Sequence, residues 1–213
     1  MKDVCFVSVC FGDSRYFEQM DRLKESILKI YPEANLMFYR GQYPPGSRDF
    51  FHSLYGFKPH AVLAARYKFT KVIWLDPAMV LVDKIDDLFQ FEMMSVKDDN
   101  VLYNVVSDAC YQYFKMTKEE VQRKEWRLVG GSIYYFDFEK PSANRIFNSW
   151  YRAEIAGMFG SQEEQASEKL QGHRMDESVM ALSMYKEGIE PVSMEVARYC
   201  NENNPMFIKK HFK

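Results

Sequence analysis

The sequence predicts an α/β fold in which helices flank a mixed, mostly parallel central sheet. Short apolar runs, rich in β-branched residues, alternate along the chain with longer segments whose apolar residues recur every three or four positions. The runs at Val4–Cys10 and Lys71–Leu75 are apolar at nearly every position, which is typical of strands buried on both faces. Ligands bind beyond the carboxyl ends of the strands in such sheets, so the loops after Cys10 and Leu75 are candidate sites.

The first half of the chain contains three of these strands. Asp13 or Ser14 can cap the helix that follows the first strand, and Pro32 ends that helix. Pro59 stands where the first turn of a second helix tolerates it. The predicted elements are strands at Val4–Cys10, 36–39 and Lys71–Leu75, helices at 14–31 and 59–66, and a loop at 41–56.

The second half continues the alternation and ends in a short basic tail. Its polar segment 157–172 is expected to be a mobile loop, and Gly188 is placed to end the last helix. The predicted elements are strands at 101–107, 132–138 and 189–193 and helices at 117–126, Pro141–Ile155 and Met175–Lys186.

Composition excludes several classes of protein. The 213 residues suit one domain, and a net charge of −2 gives no basic footprint for nucleic acid. No run of 18 apolar residues predicts a membrane span, and the start of the chain does not resemble a secretory signal. The four cysteines form no CxxC pair or zinc-ligand spacing, which favours a reducing, cytoplasmic location.

Asp76 is the clearest candidate site residue. It follows the apolar run Lys71–Leu75 directly and precedes Pro77, so its carboxylate lies where the sheet should open to ligand. A carboxylate cannot enter the core uncompensated, and with phosphate oxygens it is a suitable donor for a hard divalent cation. The alternative is an acid that only caps the turn after a strand, and position alone does not separate the two.

The order of segments 57–62, 71–82 and 83–89 resembles the donor-binding half of GT-A glycosyltransferases. In that family a helix with basic residues precedes a strand ending in the Asp of a DxD-type motif, which binds Mn²⁺ or Mg²⁺ and a diphosphate. The resemblance implies one GT-A, Rossmann-like domain over residues 1–213, with Asp76 as metal ligand. The second acid of the motif is Ala78 here, so phosphate, water or another residue would have to share the metal.

Two later segments extend the resemblance. Residues 172–179 resemble the stretch that starts a helix beneath the donor sugar, where Asp176 matches the acid that contacts sugar hydroxyls or acts in catalysis. The alternative is an acid favoured by the helix dipole by about 0.3–1 kcal/mol, which also explains Glu177. Gly130 and Gly131 resemble the glycines that let the backbone approach the donor, although an ordinary turn would also use them.

The remaining candidates come from positions that the resemblance assigns to the nucleotide. It implies that Cys10 and Phe11 hold the base and that Asp13 reaches the ribose or a base edge. It implies that His211 in the tail returns to the metal, although a solvated tail would carry the same residues. The candidate cations for phosphate, any of which could instead be a surface charge, are Arg15, Lys58, Arg66 and either Lys209 or Lys210.

The chain particularly resembles the small glycosyltransferase domains of large DNA viruses of algae (chloroviruses), which decorate capsid glycans. This implies transfer of a glucose- or rhamnose-like sugar from a UDP-sugar to a hydroxyl of an acceptor glycan, in the host-cell cytoplasm. It also allows the chain to be the N-terminal part of a longer protein.

Two alternatives to a transferase stay open. A sugar-1-phosphate nucleotidyltransferase shares a related architecture, but the glycine-rich signature after the first strand is missing. A non-catalytic nucleotide-sugar-binding module is compatible with Ala78. A Rossmann dehydrogenase is disfavoured because no GxGxxG follows the first strand.

Overall fold

The computed structural model describes residues 2–167 and 172–192, together with the backbone of 199–201 and 206–208. Two short 3₁₀ helices lie at Asp86–Gln90 and Leu102–Asn104. The strands are β1 (Val4–Cys10), β2 (Asn35–Arg40), β3 (Lys71–Leu75), β4 (Val80–Leu81), β5 (Met93–Val101), β6 (Arg127–Asp137), β7 (Tyr199–Asn201) and β8 (Met206–Ile208). The helices are α1 (Ser14–Ile30), α2 (Phe57–Arg66), α3 (Asp108–Phe114), α4 (Lys118–Arg123), α5 (Pro141–Ile155), α6 (Gln162–Ala166) and α7 (Met175–Lys186).

The central sheet has five strands in the order β2-β1-β3-β6-β5. Strand β1 pairs in parallel with both β2 and β3, whereas β6 is antiparallel to β3 and to β5. Strand β5 therefore runs in the same direction as β1, β2 and β3, and only β6 is reversed. This confirms the predicted mixed, mostly parallel sheet. A smaller sheet has the order β4-β8-β7.

Side chains alternate between two cores, one on each face of this sheet. On β3, Ile73 and Leu75 pack with α1, whereas Val72 and Trp74 pack with α2, α5 and α7. Because both faces are covered, the strand is apolar at every internal position, as its sequence predicts. The alternation also places Asp76 on the same side as Trp74, next to α2 and α7.

The predicted strand at 101–107 is wrong. Strand β5 ends at Val101, and residues 102–104 form a 3₁₀ helix. The sequence analysis missed β5 because the second half of this strand is charged and largely exposed. Its pairing with β6 also shifts register twice. The side chain of Ser107 then caps α3, a helix that the sequence analysis did not predict.

Two other expectations need correction. The segment 157–172 contains α6, which Ser161 and Glu164 start with a reciprocal capping box, a signal the sequence carries as S-x-x-E. The predicted strand at 189–193 is represented by a single parallel bridge between Val96 and Val192.

The buried thiols bear on the expected absence of disulfides, and the helix lengths bear on the expected absence of a membrane span. Cys5, Cys10 and Cys110 are buried and free of disulfides. Within the described ranges, no helix combines the length and apolar character needed to cross a membrane.

A buried ionic cluster fastens the loop 41–56 to the helices behind it. Glu154 of α5 is 0% exposed and accepts hydrogen bonds from Ser53 Oγ at 2.7 Å and Arg48 Nη2 at 3.0 Å. Its other carboxylate oxygen lies 3.0 Å from His60 Nε2 on α2. Burial alone would raise the pKa of Glu154, but its bonds to His60, Ser53 and Arg48 hold the pKa below the ordinary value. The carboxylate therefore stays ionised and ties the loop to α2 and α5.

Replacing Glu154 should destabilise the fold strongly. Glu154→Ala removes the carboxylate that His60 and Ser53 bind and leaves Arg48 with only the backbone carbonyl of residue 154. We expect a loss of about 3–5 kcal/mol in the free energy of unfolding. In a chain of this length that is roughly 6–20 °C in Tm, measurable by calorimetry or thermal circular dichroism. Arg152→Ala, an exposed position on the same helix, is the control and should change little.

The same carboxylate should give the fold part of its acid sensitivity. A depressed pKa contributes stability above the unfolded pKa and loses it as the pH falls through the folded value. Glu154→Gln should therefore flatten the decline of stability below about pH 4.5. An unchanged acid profile would contradict the ionised assignment.

Candidate functional site

Lys58, in the first turn of α2, connects three of the predicted site residues. Its side chain is only 4% exposed, and its ammonium group donates to Asp176 Oδ2 at 2.9 Å and to the Gly131 carbonyl at 3.0 Å. It also lies 3.7 Å from Asp76 Oδ1. Residues from α2, β6, α7 and the end of β3 therefore converge on one nitrogen atom.

Asp176 is held from several directions. Its Oδ2 accepts from Tyr134 Oη at 3.1 Å in addition to Lys58. Its backbone carbonyl accepts from Trp150 Nε1 of α5 at 3.2 Å. Because Asp176 lies in the first turn of α7, these contacts fix both the start of that helix and the direction of the carboxylate.

Asp76 lies directly beyond the carboxyl end of β3, as the sequence predicts. Trp74 Nε1 donates to its Oδ1 at 3.2 Å, and its own N–H donates to the Ser132 carbonyl at 2.9 Å. Its side chain is 33% exposed, in contrast to the buried Asp176. Asp76 is therefore the most exposed acid of this group.

Glu177 also belongs to the site, and the sequence analysis did not predict its role there. Its Oε1 accepts from the Gly131 N–H at 3.0 Å, and its Oε2 accepts from Arg174 Nε at 2.9 Å. The sequence signal was present, since Glu177 follows Asp176, but it was attributed to helix capping. The side chain instead fixes the backbone at Gly131, whose carbonyl Lys58 binds.

The acids and bases of this cluster influence each other strongly. Burial raises the pKa of Asp76, Asp176 and Glu177 above their ordinary values, and repulsion among the three carboxylates adds to the shift while Lys58 opposes it. Burial alone would lower the pKa of Lys58, but Asp176, Asp76 and Glu177 together raise it, so the ammonium stays protonated. With Arg174 included, three carboxylates face two cations. The fully ionised cluster is therefore one charge negative.

Two cavities meet at this cluster. The polar cavity, of about 690 Å³, is lined by Lys58, Asp76, Asp176, Glu177 and residues of α6 and the start of α7. The aromatic cavity, of about 430 Å³, is lined largely by apolar and aromatic side chains. Tyr55 and Asp76 line both. Both volumes lie within the usual range for small-molecule sites.

The aromatic cavity is built on Phe11, which follows β1. The Phe11 ring packs edge-on against Phe57 at 5.0 Å and lies 4.5 Å from the ring of Tyr43. Cys10 also lines the cavity, and its thiol is buried beside Met20, which raises its pKa. Cys10 and Phe11 therefore lie together at the predicted carboxyl end of the first strand.

Three predicted site residues lie outside the Lys58 cluster and line neither cavity. Asp13 caps α1 by accepting from the Arg15 N–H at 2.8 Å, and the Arg15 guanidinium turns back to pair with Asp13 at 3.1 Å. Arg66 hydrogen-bonds Asn144 and Asn148. It lies eight residues beyond Lys58 on α2, a rise of about 12 Å that carries it away from the site. Lys209 and His211 lie outside the described residues.

The described residues supply limited means of holding a metal ion. Within ranges 2–167 and 172–192, no group of three His, Cys, Asp or Glu side chains is arranged to ligate one. Asp176 and Glu177 already bind Lys58, Tyr134, Arg174 and Gly131. Asp76 alone combines a carboxylate with access to both cavities, which fits a divalent cation held mainly by the oxygens of a bound phosphate.

Solved structures similar to this chain include a glycosyltransferase. No family model matches the sequence, and no curated protein does. The chain is similar in structure to a glycosyltransferase involved in the glycosylation of the major capsid of PBCV-1, with 11% sequence identity and a TM-score of 0.43. The similarity covers 80% of this chain and 78% of that one. The functional assignment therefore rests on the geometry of the site.

Neighbouring glycines allow the cluster to be tested with a matched pair of variants. A Cβ at Gly131 would lie 2.8 Å from Lys58 Nζ and 3.1 Å from Asp176 Oδ2, whereas one at Gly130 would meet only the Val96 carbonyl at 3.9 Å. Gly131→Ala should cost about 1–3 kcal/mol in the free energy of unfolding, and Gly130→Ala less than about 0.5 kcal/mol. Urea unfolding measures both. Equal effects would mean that the cluster does not require the close approach at Gly131.

Proposed function

We propose that this chain is a glycosyltransferase that takes a hexose or deoxyhexose from a UDP-sugar and transfers it to a hydroxyl of an acceptor glycan. One observation carries the proposal: an aromatic cavity and an acidic, polar cavity meet at Asp76, the most exposed carboxylate of the Lys58 cluster. A nucleotide sugar has the same order of parts. It has a flat base at one end, a polyhydroxylated ring at the other and a diphosphate between them.

The nucleoside would occupy the aromatic cavity, with Phe11 as the surface for its base. Aromatic side chains bind bases through their faces without requiring a charged partner. The diphosphate would then lie beside Asp76, and the sugar would extend into the polar cavity towards Asp176. This orientation places the reacting anomeric carbon at the junction of the two cavities.

The negative charge of the cluster supports the use of a divalent cation. A diphosphate brings further negative charge to a site that already has one more carboxylate than cations, and Lys58 is occupied by Asp176 and Gly131. Mn²⁺ or Mg²⁺ held by Asp76 and the phosphate oxygens would supply the missing positive charge and stabilise the departing diphosphate. His211 and Lys209 stay candidates for the same region.

Asp176 is proposed as the catalytic carboxylate, which acts as the base in the transfer. In the transfer, the bond between the anomeric carbon and the phosphate oxygen breaks with its electron pair on the diphosphate, and a bond to the acceptor oxygen forms. The proton of the acceptor hydroxyl must pass to a base. A carboxylate with a raised pKa accepts a proton more readily than an ordinary Asp, and Lys58 and Tyr134 hold Asp176 in one orientation.

Binding of UDP tests the donor site. With UDP at about 100 times its dissociation constant and Mn²⁺ present, the wild-type protein should gain about 2.7 kcal/mol, or roughly 5–10 °C in Tm. AMP and GMP are the controls for the base. Asp76→Asn should keep the fold and lose the increment that Mn²⁺ adds. No shift with UDP would contradict the proposed function, and an unchanged Mn²⁺ increment in Asp76→Asn would remove Asp76 as the metal ligand.

Turnover tests the role of Asp176. Asp176→Asn should abolish donor hydrolysis and transfer while changing UDP affinity little, because the sugar and not the nucleotide lies beside this residue. Retained UDP binding in the variant shows that the site still folds. If turnover survives, Asp176 is only the acid at the start of α7. If the wild-type chain binds UDP-sugars but turns over none of a wide donor and acceptor panel, the non-catalytic binding module is the better description.

A further inference from the structure

Tyr55 has a backbone conformation that aromatic residues rarely adopt. Its φ is +60°, in the left-handed region, two residues before α2 begins. Its carbonyl accepts from the Lys58 N–H at 3.0 Å, so this conformation continues directly into the turn that carries Lys58. A non-glycine residue held in this region is strained, and such residues are concentrated at functional sites.

The strained residue also lies where the two cavities meet. Tyr55 lines both of them, and its side chain remains partly exposed at 37%. Lys58 Nζ lies 4.9 Å from the centre of its ring. The ring of Phe50 packs edge-on against it at 5.3 Å. The Tyr55 ring therefore stands at the junction, beside the ammonium that holds Asp176 and Asp76.

The buried cluster around Glu154 holds Tyr55 in this place. Ser53 precedes Tyr55 by two residues and binds Glu154, and Gly56 follows it. A Cβ at Gly56 would lie 2.2 Å from Ser53 Oγ and 2.7 Å from Glu154 Oε1, so the chain passes directly over the cluster. Tyr55 is thus fixed from both sides, by the buried cluster before it and by α2 after it.

We propose that Tyr55 binds the donor sugar by packing its ring against the apolar C–H face of that sugar. The inference rests on the proposed function and adds to it a partner for the C–H face of the sugar. A pyranose ring presents hydroxyls at its edge and C–H groups on its faces. The acids of the polar cavity suit the hydroxyls, and Tyr55 is the aromatic side chain that the two cavities share.

Comparing UDP with UDP-glucose isolates this contact. Calorimetric titration with Mn²⁺ present gives both dissociation constants for the wild-type protein, Tyr55→Phe and Tyr55→Ala. Tyr55→Ala should weaken UDP-glucose binding about threefold to tenfold and leave UDP binding within about twofold. Tyr55→Phe should keep the wild-type ratio of the two constants, because the ring face is retained.

Two further variants separate the contact from an effect on the loop. Tyr43→Ala removes another partly exposed aromatic side chain of the same loop and should leave the ratio unchanged. Tyr55→Gly should raise the dissociation constant of UDP-glucose relative to that of UDP, as Tyr55→Ala does. It should unfold at a higher temperature than Tyr55→Ala, because glycine adopts φ +60° without strain. A parallel loss of UDP and UDP-glucose affinity, or an unchanged ratio in Tyr55→Ala, overturns the inference while the donor site stands. Absence of UDP binding in the wild-type protein overturns the proposed function instead.

Discussion

The Lys58 ammonium is the interaction on which the rest of the site depends. It is buried, and a buried charge is tolerated only when partners compensate it closely. Asp176 Oδ2 and the Gly131 carbonyl bind it directly, and Asp76 adds a second negative charge at 3.7 Å. These partners come from α7, β6 and the end of β3. The ion pair therefore fixes the positions of three elements that are far apart in sequence.

The sheet makes this convergence possible. Strand β3 ends at the point where β6 runs antiparallel beside it, and the alternation of side chains along β3 turns Trp74 and Asp76 to the same face. Trp74 Nε1 binds both Asp76 and the Gly131 carbonyl, so the two strands share one donor at their common end. Behind the cluster, Trp150 holds the Asp176 carbonyl, and the aromatic core of α5 thereby supports the start of α7.

Much of this arrangement could be predicted from sequence, for reasons that differ between residues. Asp76 and Cys10 were found because the ends of buried strands are visible as ends of apolar runs. Asp13 was assigned to the nucleotide by the resemblance, and Arg15 and Arg66 by their charge. In the structure Asp13 and Arg15 pair with each other, and Arg66 binds two asparagines of α5. Glu177 was present in the same motif as Asp176, but its bond to the Gly131 N–H joins residues 46 apart in sequence. The residue pattern within one segment does not show a contact between residues that are so far apart in sequence. Tyr55 was missed because a left-handed backbone at an aromatic residue has no sequence signal.

The charge of the site links metal and nucleotide in the proposed reaction. The cluster has one more carboxylate than cations, and this negative charge opposes the binding of a diphosphate alone. Asp76 by itself offers too few ligands to hold a free cation well. Each would therefore bind better in the presence of the other, and by linkage the two effects must be equal. Ala78 in place of a second acid strengthens this dependence, because phosphate oxygens must supply ligands that a second carboxylate would otherwise provide. The departure from the DxD pattern is thus consistent with a site completed by its substrate.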